Sequence, residues 1–176
     1  GDTRGRFPYW TTRNERGGEV AVPGPQDPIQ FVDVRDLIDF TFGLVGSGTG
    51  GTFNVLGPAS PMTMEGFAHG LRACTSAPVT FVWMDDREWL AKHEVDFVIP
   101  WVLPLGDEAG HMRVSNQRAL AAGMILRPLA RTILDVTAWW RSDAVPDEVR
   151  EGIRFPFTPE QEVELIAEWK GRTDPP

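Results

Sequence analysis

The residues best suited to chemistry in this sequence lie in one short run. Asp33 and Asp36 flank Arg35, and Asp39 follows about one helical turn after Asp36. Carboxylates at this spacing can exchange protons with a substrate or hold a hard cation. They also suit the start of a helix, where negative charge meets the positive end of the backbone dipole. The second use asks less of the surroundings, and the run is assigned to it. His69, His93 and His111 are scattered without an H-x-x-x-H spacing, which argues against a metal centre built on them. Cys74 is the only cysteine, so an internal disulfide and a thiolate zinc site are excluded. Its distance along the chain from His69 fits one helical face poorly, and Cys74 is assigned to the core rather than to a Cys–His pair. Ser47 and Ser115 lack the strand–turn–helix context that exposes a nucleophilic serine.

The stretch Gly46-Ser47-Gly48-Thr49-Gly50-Gly51 matches G-x-G-x-x-G. Phosphate binding by that pattern needs a strand before the glycines and a helix after them. Here the order is reversed, so a helix-to-strand loop is expected. The aromatic residues Phe7, Tyr9, Trp10, Trp83, Trp89 and Trp101 are each ordinary core material. Trp89 and Trp101, however, fall in an irregular, proline-broken segment, and rings in such places line apolar pockets for small ligands.

The elements that must position these residues follow from periodicity and breakers. A helix is expected before Gly17-Gly18, then strands at Glu19–Val22, Gln30–Val34, Thr52–Leu56 and Val79–Met84. Leu37, Ile38, Thr41, Leu44 and Val45 recur at helical spacing after Arg35. Thr63 caps a helix containing Phe67, Leu71 and Cys74, and Ser115 one that stops at Gly123. Leu129, Ile133, Val136 and Trp140 form a stripe. Thr158-Pro159-Glu160-Gln161 is a capping-box signal for a last helix to about Lys170. Strands alternating with helices argue for an α/β unit followed by a helical, loop-rich portion.

Composition narrows the classes further. The chain has 176 residues, 41% hydrophobic and 24% charged, which excludes a disordered tail, a collagen-like fibre and a coiled coil. A formal net charge of −8 disfavours phosphate backbones, so nucleic acid is not an expected partner. No apolar run reaches the roughly 18 residues of a membrane span. A single cysteine and no visible signal peptide point to a cytoplasmic protein.

Several pieces then stand in a recognisable order: Arg6-Phe7-Pro8-Tyr9-Trp10, Gly18-Glu19-Val20 leading to Pro23-Gly24, and Gln30-Phe31-Val32-Asp33-Val34-Arg35-Asp36-Leu37. Gly51-Thr52-Phe53-Asn54-Val55-Leu56-Gly57-Pro58, Asn116-Gln117-Arg118-Ala119, Ala122-Gly123, Arg127-Pro128-Leu129 and Trp139-Trp140 follow. From about Arg6 to Arg141 the ordered set resembles the carboxy-terminal half of the NAD-dependent epimerase/dehydratase family, the extended short-chain dehydrogenase/reductases. The resemblance implies an α/β fold: a partial Rossmann-type sheet unit plus the smaller substrate-binding lobe. Residues 1–145 would hold both, and 146–176 would add a carboxy-terminal loop and helix. Phe31 to Asp36 would be a late Rossmann strand-to-helix unit.

Two departures from the family pattern shape the expected function. The amino-terminal glycine-rich loop is missing, and so is the Tyr-x-x-x-Lys pair: Tyr9 has Arg13 four positions on, and neither Lys92 nor Lys170 has a tyrosine four before it. In such a pair the lysine lowers the tyrosine pKa and the tyrosine passes the proton. The resemblance therefore implies the substrate-side part of an NAD(P)-dependent oxidoreductase or epimerase. NAD or NADP would belong to the full-length parent, with no cofactor and no catalytic residue in this chain alone. Its partners would be a small-molecule substrate and either a missing amino-terminal half or a second copy. The alternatives are a non-catalytic ligand- or protein-binding module from the same family and a free-standing interaction domain.

The second departure concerns the substrate. Ile29 stands where nucleotide-sugar epimerases of the family place a pyrophosphate-gripping arginine, and Met84-Asp85-Asp86-Arg87-Glu88-Trp89 is acidic where a second one is found. A bidentate arginine is hard to replace for phosphate. A non-nucleotide carbonyl or alcohol is expected instead. Its contacts would come from Arg6, Tyr9, Trp10, Arg13, Asp33, Trp83 and Trp101, with the Trp89–Leu105 segment as a lid facing Arg6–Arg13 across a cleft.

Overall fold

Glycines bound the first helix of the computed structural model, which describes Asp2, residues 4–151 and residues 156–172. Helix α1 (Arg6–Arg16) starts after Gly5 and stops at Gly17, both at φ 70°, a conformation that suits a residue without Cβ. Strand β1 (Gly18–Pro23) follows, and its Val20, Ala21 and Val22 are fully buried. Helix α2 (Val34–Ser47) is capped by Asp33, whose side chain accepts from the Arg35 N–H. It ends at Gly48 with φ 64°, so the glycine-rich stretch is a helix C-cap and the loop that leaves it. Thr63 caps α3 (Met64–Ala73) through the Gly66 N–H, as its position predicts.

Strand β2 (Val79–Met84) pairs parallel to β1, from Gly18 opposite Val79 to Pro23 opposite Met84. A short helix α4 (Arg87–Lys92) leads to a hairpin of β3 (Phe97–Val98) and β4 (Trp101–Val102). The remaining helices are α5 (Gln117–Ala121), α6 (Leu129–Arg141), α7 (Asp147–Glu151) and α8 (Pro159–Lys170). The cap residue of α5 is Asn116, one beyond the expected Ser115. The capping box of α8 is complete: Thr158 Oγ1 accepts from Gln161 N–H and Gln161 Oε1 from Thr158 N–H. The architecture is mixed α/β, with a small two-stranded parallel sheet and helices around it. No helix among the described residues is long and apolar enough to cross a membrane.

Two expected strands are not formed. The segment 30–34 meets the chain after 52–56 only at one antiparallel bridge, Phe31 to Gly57, with N–H to carbonyl distances of 3.2 and 2.7 Å. Pro58 brings no N–H to extend the ladder on one side, and Asp33 turns the other strand into α2. Phe31 to Asp33 is thus an extended entry to α2, and Val34 to Asp36 are its first turn, so no sheet strand is formed here.

The sheet edge that a third strand would occupy is closed by side chains instead. Glu162 of α8 accepts a hydrogen bond from the Ala21 N–H at 3.1 Å. Arg13 of α1 donates to the Gly17 carbonyl at 2.8 Å, to the Glu19 carbonyl, and to the Glu162 carboxylate. Edge groups that would otherwise recruit another strand are satisfied by one buried ion pair. Leu165 and Ile166 bring α8 into the same core as β1 and α3, so residues from the expected carboxy-terminal unit 146–176 help build it. Residues 152–155 and 173–176 of that unit, like Gly1 and Thr3, lie outside the described residues.

The Trp89–Leu105 segment is not a lid. Leu90, Val95, Val98, Trp101 and Leu103 are all buried in the main core, and Leu103 N–H bonds the Asp96 carbonyl at 2.8 Å. The prolines break its regular structure while its apolar side chains anchor it. A second, smaller core gathers Phe40 of α2 with Ala119 and Met124, packed on by Phe53 and Val55.

Candidate functional site

A cleft of about 720 Å³ opens between the start of α1, the extended entry to α2, and α6, within the size range of small-molecule sites. Arg6 and Phe7 form one wall, Phe31 to Arg35 the floor, and Thr132, Asp135, Val136 and Trp139 the other wall. Ile99, in the turn between β3 and β4, completes the lining, so α1 and that segment do share the cleft.

Its geometry is fixed by a charged hub. Arg35 donates through Nε to Asp33 Oδ1 at 2.9 Å and through Nη2 to Asp33 Oδ2, while Nη1 reaches Asp135. Thr132 Oγ1 donates to Asp33 Oδ2 at 2.9 Å. The N-terminus of α2 is thereby tied to α6, and Asp33 serves at once as helix cap and inter-helix link. Hydrogen bonds from the Arg35 guanidinium, then from the Arg35 N–H and Thr132, hold the Asp33 carboxyl down at about 2, although burial opposes them.

Protonation of Asp33 should therefore weaken the fold. Its folded-state value lies below the ordinary 3.8, so the ionised form stabilises above that pH and this contribution is lost as pH falls through about 2. Melting temperatures measured across this interval should fall in the wild type, and Asp33→Asn should start lower at neutral pH and decline less steeply. Parallel curves for the two proteins would refute a stabilising role for the ionised group.

Of the residues expected at the site, the cleft brings together Arg6 and Asp33. The others stand elsewhere. Trp10 is fully buried and donates through Nε1 to the Ile99 carbonyl at 2.8 Å. Trp101 is fully buried and donates through Nε1 to Asp27 at 3.0 Å. Arg13 holds the sheet edge. Tyr9 is buried, with its hydroxyl lacking a hydrogen-bond partner. Burial, reinforced by Glu162, pushes its pKa far above the ordinary range, so it is no proton donor or acceptor near neutrality. Trp83 is half-buried on β2 against the rings of His69 and Phe81. Tyr9 and Trp10 sit in the core because α1 packs on α3, where Trp10 meets the Phe67 ring, and Trp101 because it lies against Gly24 and Asp27.

Sequence reasoning missed Phe31, Thr132, Asp135 and Trp139. A faint signal existed for Asp135, which pairs with Arg131 one helical turn before it. Among the described residues no group of three or more His, Cys, Asp or Glu side chains could hold a metal ion. His93 is engaged by Trp89 and Glu168, His111 by Glu108. No protein-family model matches the chain, and neither a curated protein nor a solved structure is significantly similar to it.

Proposed function

We propose that the chain is the substrate-binding part of an NAD(P)-dependent oxidoreductase or epimerase, akin to the extended short-chain dehydrogenase/reductases, that acts on a non-nucleotide carbonyl or alcohol in the cytoplasm. The observation that carries the proposal is an uncovered apolar helix face beside the cleft. Helix α2 leaves Val34, Ile38, Phe42 and Val45 exposed by 52, 46, 72 and 74%, on one stripe. Contiguous exposed apolar surface of this kind marks a contact site. Val34 belongs to both stripe and cleft, and Asp2 lines the same cleft. Asp2 thus stands on the cleft rim, near the Val34 end of the stripe.

A dinucleotide-binding half laid on α2 would bury the stripe and roof the cleft. It would supply the glycine-rich loop, the Tyr-x-x-x-Lys pair and the bound NAD or NADP, whose nicotinamide exchanges hydride. The extended entry to α2 would then be the last piece of a Rossmann-type unit. This chain's own residues orient the substrate: Arg6 and Trp139 stand in opposite walls over Phe31 in the floor, and the Asp33–Arg35–Asp135 hub holds the walls at fixed spacing.

Coding sequence directly upstream of Gly1 should carry, in frame, a glycine-rich strand–turn–helix and a Tyr-x-x-x-Lys pair. Calorimetric titration should show no micromolar binding of NADH or NADPH to the 176-residue chain, and binding once that half is attached. Micromolar binding by the chain alone would overturn the proposal. So would a stable dimer by sedimentation in which Phe42→Glu abolishes association, because a second copy would then be the cover.

A further inference from the structure

The hydrogen-bonding groups in the cleft are unevenly satisfied. Its carboxylates are engaged: Asp33 by Arg35 and Thr132, and Asp135 by Arg35 and Arg131. The Gln30 amide both donates to the Val114 carbonyl at 2.8 Å and accepts from the Val114 N–H at 3.0 Å. Asp2 accepts from the N–H groups of Arg4 and Phe7, at 3.2 and 2.9 Å. Two cationic side chains keep N–H groups without an acceptor, as does the indole of Trp139. Arg6 lines the cleft with a side chain 43% exposed, while its Nε is buried with no hydrogen-bond partner and its ion pair with Asp2 is long, at 3.8 Å. The guanidinium of Arg4, on the same cleft, has no hydrogen bond or ion pair among the described residues. A desolvated N–H without an acceptor costs free energy until something supplies one.

We infer that the cleft takes an organic monocarboxylate with an aromatic or aliphatic body, the carboxylate held by Arg6 and Arg4 and the body lying against Phe31 and Trp139. The inference rests on the substrate-binding role proposed above and adds the group that orients the substrate. A carboxylate presents two coplanar acceptors, which match the guanidinium fork. The charge count selects a single negative charge: Arg4, Arg6 and Arg35 on the cleft are balanced by Asp2, Asp33 and Asp135, and Arg131, bonded to Asp135 from outside the lining, leaves one positive charge unmatched. The aromatic walls supply the apolar contact. Arg6 is thus a specificity residue, and the hydride and proton steps lie outside its role.

The test is calorimetric titration of the 176-residue chain with 3-phenylpropionate and with its neutral amide, 3-phenylpropanamide, while amide-proton NMR locates the bound ligand. The acid should bind about tenfold more tightly than the amide, the scale of a hydrogen bond to a charged group. Arg6→Gln should abolish that preference and Arg6→Lys should restore part of it, with shifts at Phe31 and Trp139 retained. Arg4→Gln, at an exposed site, should reduce the preference without loss of melting temperature, which guards against a folding artefact in the Arg6 variants. Equal affinities for acid and amide, with shifts in the cleft, would overturn the carboxylate assignment and leave the cleft as a substrate site. Absence of binding by either would also overturn it, and the nicotinamide titration would still judge the wider proposal.

Discussion

Arg13→Ala should lower the unfolding free energy by about 3–5 kcal/mol, the range for removing one partner of a buried ion pair. Arg13 and Glu162 are 8% and 3% exposed, so neither charge has water to fall back on. Removing the guanidinium leaves the Glu162 carboxylate buried with only the Ala21 N–H, and strips the Gly17 and Glu19 carbonyls of their donor. The pair also replaces a third strand at the edge of β1, so its loss exposes a sheet edge as well as a charge. Urea denaturation of the chain reads the effect. Arg13→Met/Glu162→Leu should cost much less than either single change, since no charge is then stranded. A single-mutant loss below about 1 kcal/mol, the scale of an exposed pair, would mean that water reaches this site.

Trp101→Ala should cost a similar amount, about 3–5 kcal/mol, by opening a cavity where a large ring was fully enclosed. More than volume is lost. Trp101 Nε1 donates to Asp27, a buried carboxylate that Arg87 holds from the other side at 2.6 Å. The ring also lies so close to Gly24 that a Cβ there would sit 2.3 Å from Trp101 Nε1, so the indole, the Gly24 turn and Asp27 form one packed unit. Trp10→Ala should behave alike, since that ring ties α1 to the β3–β4 turn. In a catalytically competent parent both variants should lose stability with little change in KM of the folded fraction. A large KM effect with an unchanged melting temperature would place these rings on the substrate after all.

The contrast between these tryptophans and Trp139 shows where sequence reading stops. All sit among irregular or amphipathic stretches, and aromatic character alone does not say which face is covered. Trp10 is enclosed because α1 packs on α3, where its ring meets Phe67, and Trp101 because it lies against Gly24 and Asp27. Trp139 borders the cleft because α6 turns that position toward α1 and the entry to α2. Helix α2 makes the same point in reverse. Its apolar residues recur at helical spacing, yet Asp36 and Phe40 are its buried positions, and Val34, Ile38, Phe42 and Val45 face outward. The buried Asp36 is answered by Arg127 from a distant loop, which accounts for a carboxylate on the covered face.

Local rules in the sequence were enough for whatever depends on near neighbours. The helix ends at Gly17 and Gly48, the Thr63 cap, the Thr158–Gln161 capping box and the Asp33 cap on α2 follow from backbone geometry and hydrogen bonds within a few residues, and the apolar runs of β1 and β2 mark them as strands although their pairing joins distant segments. Tertiary structure alone decided the cleft. Asp33 and Asp135 are about a hundred positions apart and share one arginine; Glu162 reaches back to Arg13 across most of the chain. It also decided that 30–34 and 52–56 form no strands, with a single bridge from Phe31 to Gly57 beside them, and that the sheet edge is closed by an ion pair. The physical reason is the same in each case. Periodicity states that a face is apolar or a group is charged, but burial and pairing depend on what the rest of the chain brings against it, and no local pattern encodes that partner.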